Sequence, residues 1–113
     1  IHITSDYLLT WDQIYEQIAY ALGVEANIVH IPSRFIADFD ARMGEGILGD
    51  KMRCLIFDNS KIKSLVPDFT ATIPFHIGIQ KTLDWFHADE ARMQVPTEHE
   101  QVIDDLIAAY QNR

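Results

Sequence analysis

Apolar positions along the chain change spacing several times, and each change marks an element. Ile1 to Thr4 is a short strand-like run, turned at Ser5-Asp6. The clearest helix follows. Thr10 is a good N-cap with Gln13 three residues on, a capping box, and Leu9 before the cap pairs with Ile14 as a hydrophobic staple. Trp11, Ile14, Tyr15, Ile18, Ala21 and Leu22 recur at helical spacing, and Gly23 supplies a left-handed C-cap. Asn27 to Ile31 reads as a second strand, rich in β-branched residues and ended by Pro32. Ser33 then caps a short helix carrying Phe35, Ile36 and Phe39.

Gly44, Gly46 and Gly49 mark Met43 to Asp50 as a loop. Met52 to Phe57 reads as a third strand candidate. Asp58 caps a short helix with Ile62, Leu65 and Val66, stopped by Pro67. After a loop from Asp68 to Thr72, Pro74 suits the first turn of a helix whose face holds Phe75, Ile79, Leu83 and Phe86. Gly78 in that helix costs about 1 kcal/mol against alanine, which suggests that a second backbone comes close there. Beyond the polar connection Ala88 to Pro96, Thr97 and Glu100 form another capping box. Val102, Ile103, Leu106, Ile107 and Tyr110 stripe the last helix. The order β-α-β-α-loop-β-α-α-α predicts an α/β fold with about three short strands and four to five helices. That is too few strands for a self-contained nucleotide-binding domain.

Charge narrows the partners. Seventeen acidic residues against nine basic ones give a net charge of −8, and the basic residues are scattered. Phosphate backbones need clustered Lys and Arg, so nucleic acid is excluded as the expected partner. No apolar stretch reaches the ~18 residues of a membrane span, and no basic n-region followed by an apolar h-region marks a signal peptide in these residues. One cysteine, Cys54, rules out an internal disulfide and fits a reducing cytoplasm; its apolar run predicts a buried structural thiol. The strand-like start at Ile1 suggests a piece of a longer chain.

Chemistry is sparse. No Gly-x-Gly-x-x-Gly or P-loop pattern is present, and Gly44-Glu45-Gly46 is read as a loop, not a cofactor cradle. No Tyr-x-x-x-Lys pair occurs. The five histidines, His2, His30, His76, His87 and His99, lack metal-ligand spacing, so no metal is expected. Paired carboxylates such as Asp38/Asp40, Asp89/Glu90 and Asp104/Asp105 lie in polar stretches, where solvated faces are the ordinary outcome. No catalytic residue is assigned. Arg34, Arg42, Lys51 and Arg53 bracket the segment from Ser33 to Arg53 and could clamp a phosphate or carboxylate, although each also suits plain solvent exposure.

Three stretches resemble a known family. They are Ile1-His2-Ile3-Thr4-Ser5-Asp6 with Leu9-Thr10-Trp11 and the helix ending Leu22-Gly23; Phe57-Asp58-Asn59-Ser60-Lys61; and Pro74-Phe75-His76-Ile77-Gly78-Ile79 with Thr82 and Trp85-Phe86. In order and spacing they resemble the C-terminal part of the NAD-dependent epimerase/dehydratase family, the extended short-chain dehydrogenase/reductases. The likeness covers roughly residues 1–86 and leaves the helix of residues 97–113 outside it.

The resemblance implies that residues 1–113 form one C-terminal substrate-binding domain, inactive alone, that lacks the Rossmann lobe with its NAD or NADP and Tyr/Lys pair. The implied substrate is a small molecule of sugar or nucleotide-sugar type. It also implies Arg34, Asp50, Lys51 and Arg53 as substrate contacts. Where the family commonly has Arg-Pro-Gly-Asp, this chain has Ile47-Leu48-Gly49-Asp50, so the diphosphate-binding Arg is replaced by Ile47. A non-catalytic scaffold derived from the same family is the alternative. A homodimer covering the face meant for the missing lobe is a further expectation.

Overall fold

Side-chain caps and helical spacing, not strand pairing, organise this chain. The computed structural model describes residues 1–113, of which 60% are helical and none is in a strand. Six α-helices follow in order: α1 Trp11–Leu22, α2 Ser33–Phe39, α3 Ala41–Gly46, α4 Ser60–Leu65, α5 Phe75–His87 and α6 Thr97–Gln111. A π-helical turn, Ile47–Lys51, continues from α3, and a 3₁₀ turn, Glu90–Met93, follows α5.

The expected α/β fold with three strands is therefore corrected to an all-helical one. The physical reason is non-local. β-Branched residues favour an extended backbone, but a strand exists only where a neighbour takes its N–H and C=O groups. Ile1 to Thr4, Asn27 to Ile31 and Met52 to Phe57 find no such neighbour in this chain. At Thr4 a side chain takes that role instead. The Thr4 N–H donates to Asn59 Oδ1 at 3.1 Å, and Asn59 Nδ2 donates to the Thr4 carbonyl at 2.7 Å. The carboxamide pairs with Thr4 as a peptide group on an adjacent strand would. Cys54, expected to be buried in the third strand, is exposed, because the sheet that would cover it does not form.

The chain divides into two compact units. One comprises residues 1–28 and 56–93, the other residues 29–55 and 94–113. In the first, α1 packs against α5. The helix α1 starts as its sequence dictates. Gln13 N–H donates to Thr10 Oγ1 at 3.2 Å, and Thr10 N–H donates to Gln13 Oε1 at 2.9 Å. It ends in a Schellman motif: Gly23 has φ 72°, its N–H reaches the Tyr20 carbonyl, and the Val24 N–H reaches Ala19 at 3.0 Å. The aromatic end of α5 is locked by Arg92, which donates to the Trp85 carbonyl at 2.7 Å and lies 4.1 Å over the Trp85 ring.

In the second unit, α2 packs on α3 and α6. The glycine stretch expected as a loop is mostly helix. Asp40 accepts from the Met43 N–H at 2.8 Å and caps α3. Gly44 is buried in α3 where α2 crosses it; a Cβ there would lie 2.5 Å from Ala37. Gly44 thus serves close helix packing, the role the sequence suggested for Gly78. Around Gly78 a Cβ would meet only Ile73 Cγ2, at an ordinary 3.8 Å. Phe35 and Tyr110 meet edge to face with centroids 5.2 Å apart, which ties α2 to α6.

Two expected caps do not form. Ser33 and Thr97 are the first helical residues, behind Pro32 and Pro96, and neither helix has a side-chain cap. Near α4, Asp58 accepts from the Ser60 N–H at 2.8 Å although Asn59 holds the cap position. Pro74 likewise sits at the cap position of α5, one residue before the first turn.

These glycines give a paired prediction. Gly78→Ala raises unfolding stability by up to about 1 kcal/mol, because helix propensity improves without a clash. Gly44→Ala lowers it by about 1–3 kcal/mol through overpacking against Ala37. Urea denaturation of both variants checks the two signs.

Candidate functional site

Of the four residues expected to contact substrate, Asp50 and Lys51 are sequence neighbours, and Arg34 and Arg53 stand elsewhere on the second unit. Lys51 Nζ lies 3.9 Å from Asp50 Oδ2, both at the end of the π-helical turn and both well exposed. Arg34 stands in the first turn of α2, where it pairs with Asp38 four residues on at 3.1 Å. Its side chain is 80% exposed, so the pair is weakly held and Arg34 could exchange it for a ligand anion at small cost. Arg53 lies beyond the turn, exposed. Arg34 and Lys51 each pair with a carboxylate close by in sequence. Ile47 begins the π-helical turn and is half-buried.

A different set of residues surrounds an open cleft of about 500 Å³. It is lined by Asp40, Arg42 and Met43 from the start of α3 and by Pro96, Glu98, His99 and Val102 from the start of α6. Asp40 is committed to capping α3. Arg42, Glu98 and His99 are exposed, while Met43 and Val102 are half-buried. Such a lining offers a small polar ligand charges of both signs above an apolar base, with no nucleophile and no His/Cys/carboxylate cluster fit for a metal. Arg42 was singled out by sequence. His99 and Glu98 were missed because α3 was read as a loop, which hid the helix ends that enclose them. The Asp40-Ala41-Arg42-Met43 cap was the signal that could have revealed them.

The Phe57–Lys61 stretch proves to be a structural clasp. Asn59 is the buried polar residue of the protein, 5% exposed. Besides its two bonds to Thr4, its Nδ2 donates to Asp6 Oδ1 at 3.1 Å. Lys63 Nζ donates to both oxygens of Asp6 at 2.8 Å. The Lys63 bond first, then that from Asn59, holds the Asp6 carboxyl below its ordinary value, against a small opposing effect of burial. Asp58 is lowered too, chiefly by the Ser60 hydroxyl at 2.6 Å and then the Ser60 N–H. Sequence reasoning placed Asp58 correctly near the helix start but gave Asn59 and Lys63 no role, since their partners lie over fifty residues away.

Large apolar side chains stand in water throughout the first unit. Trp11 is 68% exposed, Tyr15 55%, Tyr20 87% and Trp85 55%. Buried apolar side chains number two, Ala19 and Leu106. The accessible surface is 9293 Å². A compact monomer of this mass exposes roughly 6,300 Å², and two separately compact units of these sizes roughly 7,600 Å². Many large apolar side chains contribute to this exposed surface. No helix is long and apolar enough to cross a membrane.

Compared with protein-family models, curated proteins and solved structures, the chain matches none of them.

The clasp has a testable acid signature. Asp6 has a depressed folded pKa, so its stabilising effect is complete above the unfolded value near 3.8 and is lost as pH falls through the lower folded value. In Lys63→Met the Asp6 carboxyl titrates closer to 3.8, as read by carbon-13 NMR. Asn59→Ala releases Thr4 and lowers stability by about 1–3 kcal/mol, measured by denaturation at neutral pH.

Proposed function

We propose that this chain is the substrate-side lobe of an NAD-dependent epimerase, dehydratase or reductase acting on a sugar or nucleotide-sugar type substrate. It is inactive alone and is completed by a second lobe that carries NAD or NADP and the proton-transfer Tyr/Lys pair. The observation that carries this reading is the uncovered apolar surface. A chain that buries two apolar side chains and exposes 9293 Å² has the surface of a part that packs on another part. The three stretches of family resemblance support the same division, because they belong to the substrate side.

In this reading Arg34, Asp50, Lys51 and Arg53 supply substrate contacts around the π-helical turn. Their exposure leaves them available, and their present partners are neighbouring carboxylates that a substrate phosphate or carboxylate could displace. Ile47 removes one cation from the expected diphosphate set, so Lys51 and Arg53 take over that charge or the substrate lacks a diphosphate. A cytoplasmic setting accords with the single exposed thiol of Cys54.

The same Ile47 favours a second reading, a non-catalytic scaffold module derived from the family. A half-buried isoleucine in place of the phosphate-binding Arg is what loss of that substrate would leave behind.

Calorimetry on the chain separates these from a self-contained enzyme. No NAD or NADP binding is expected up to millimolar cofactor. Micromolar binding by this chain contradicts the two-lobe division. In the assembled protein, Lys51→Ala with Arg53→Ala raises KM for substrate about tenfold if the pair contacts an anionic group, as expected for lost charge-assisted hydrogen bonds. An unchanged KM shifts support to the scaffold reading.

A further inference from the structure

The cleft lined by the starts of α3 and α6 holds two charges of opposite sign that do not answer each other. Arg42 comes from the first turn of α3 and Glu98 from the first turn of α6, and both line the same open space of about 500 Å³. Neither makes an ion pair or a side-chain hydrogen bond, with the other or with any further residue. The second carboxylate on the cleft, Asp40, is committed to the Met43 N–H at 2.8 Å. Below the charges lie Met43 and Val102, both half-buried.

Helix stability accounts for one of the two charges and not the other. A carboxylate in the first turn suits α6, which has no side-chain cap on its N–H groups. A cation in the first turn of α3 stands at the disfavoured, positive end of its own helix, so Arg42 gains nothing there from the helix that carries it. What places it is the cleft it lines.

A ligand that joins Arg42 to Glu98 must carry an anion for the first, a cation for the second and an apolar part for the base. A simple anion would be repelled by Glu98, and a simple cation by Arg42. The volume lies within the roughly 300–1,000 Å³ of small-molecule sites.

We propose that this cleft binds a small zwitterion, an α-amino acid with an apolar side chain. Its carboxylate pairs with the Arg42 guanidinium and its ammonium with the Glu98 carboxylate, each through charge-assisted hydrogen bonds. Its side chain rests on Met43 and Val102. The site uses none of Arg34, Asp50, Lys51 and Arg53, and the inference does not depend on the epimerase/dehydratase reading.

The test uses the full chain and three probes: leucine, leucinamide, which lacks the carboxylate, and N-acetylleucine, which lacks the ammonium. Binding is followed by NMR through the amide signals of His99 and Val102. Because the charges are exposed, leucine is expected to bind with a Kd on the order of millimolar. Leucinamide and N-acetylleucine each bind at least about fivefold more weakly. Arg42→Gln weakens leucine binding at least about fivefold and leaves leucinamide within about twofold, because leucinamide has no carboxylate to lose. Glu98→Gln weakens leucine to a similar extent and leaves N-acetylleucine within about twofold. Lys81→Gln, on α5, leaves all three unchanged. Both cleft substitutions are at exposed positions, and circular dichroism confirms that the variants keep their helices.

Three results overturn the proposal. The first is no shift of the His99 and Val102 signals with leucine at about 10 mM. The second is equal binding of leucine and its two singly charged analogues, which would make the contact apolar only. The third is a loss in Arg42→Gln or Glu98→Gln that is the same for all three probes.

Discussion

Every extended stretch of backbone must have its N–H and C=O groups answered, and in this chain Asn59 answers Thr4 from within a motif near α4. One carboxamide thereby pins the chain's first segment. It also orients Asp6, which Lys63 then closes from the next turn of α4. Removing Asn59 would free Thr4 and leave Asp6 with Lys63 as its partner among these groups. The clasp is polar and joins residues more than fifty positions apart, and little apolar burial surrounds it.

That scarcity of burial links fold to function. Folding a chain of this length costs on the order of 1 kcal/mol or more per residue in conformational entropy, and apolar burial is the main offset. Here α1 and α5 pack together in one unit and α2 with α3 and α6 in the other, yet Trp11, Tyr15 and Trp85 stay in water. The surface left over is what the proposed second lobe would cover.

The helices were legible in the sequence because their signals are local. Thr10, Gln13 and Gly23 set the ends of α1 within a few residues, and the stripe from Val102 to Tyr110 marks α6. The strands were not. Ile28, Val29 and Ile31 state a preference for extended backbone, but pairing depends on a neighbour that sequence spacing cannot supply. Gly44 misled for a related reason: a glycine that admits a neighbouring helix looks the same in sequence as one that makes a loop, and Ala37 decides between them. Of the expected contacts, Lys51 pairs with its sequence neighbour Asp50, and Arg34 with Asp38. The cleft near His99 was hidden because it is built from helix ends about sixty residues apart.

The heat capacity of unfolding measures apolar surface exposed on unfolding, and so tests directly whether this chain contains its own core. A self-sufficient domain of this length gives roughly 1.4–1.7 kcal/mol/K. For this chain alone, scanning calorimetry is expected to give less than about half of that, with the missing part restored when the partner is bound. A full value for the chain by itself would contradict the proposal that another surface completes it.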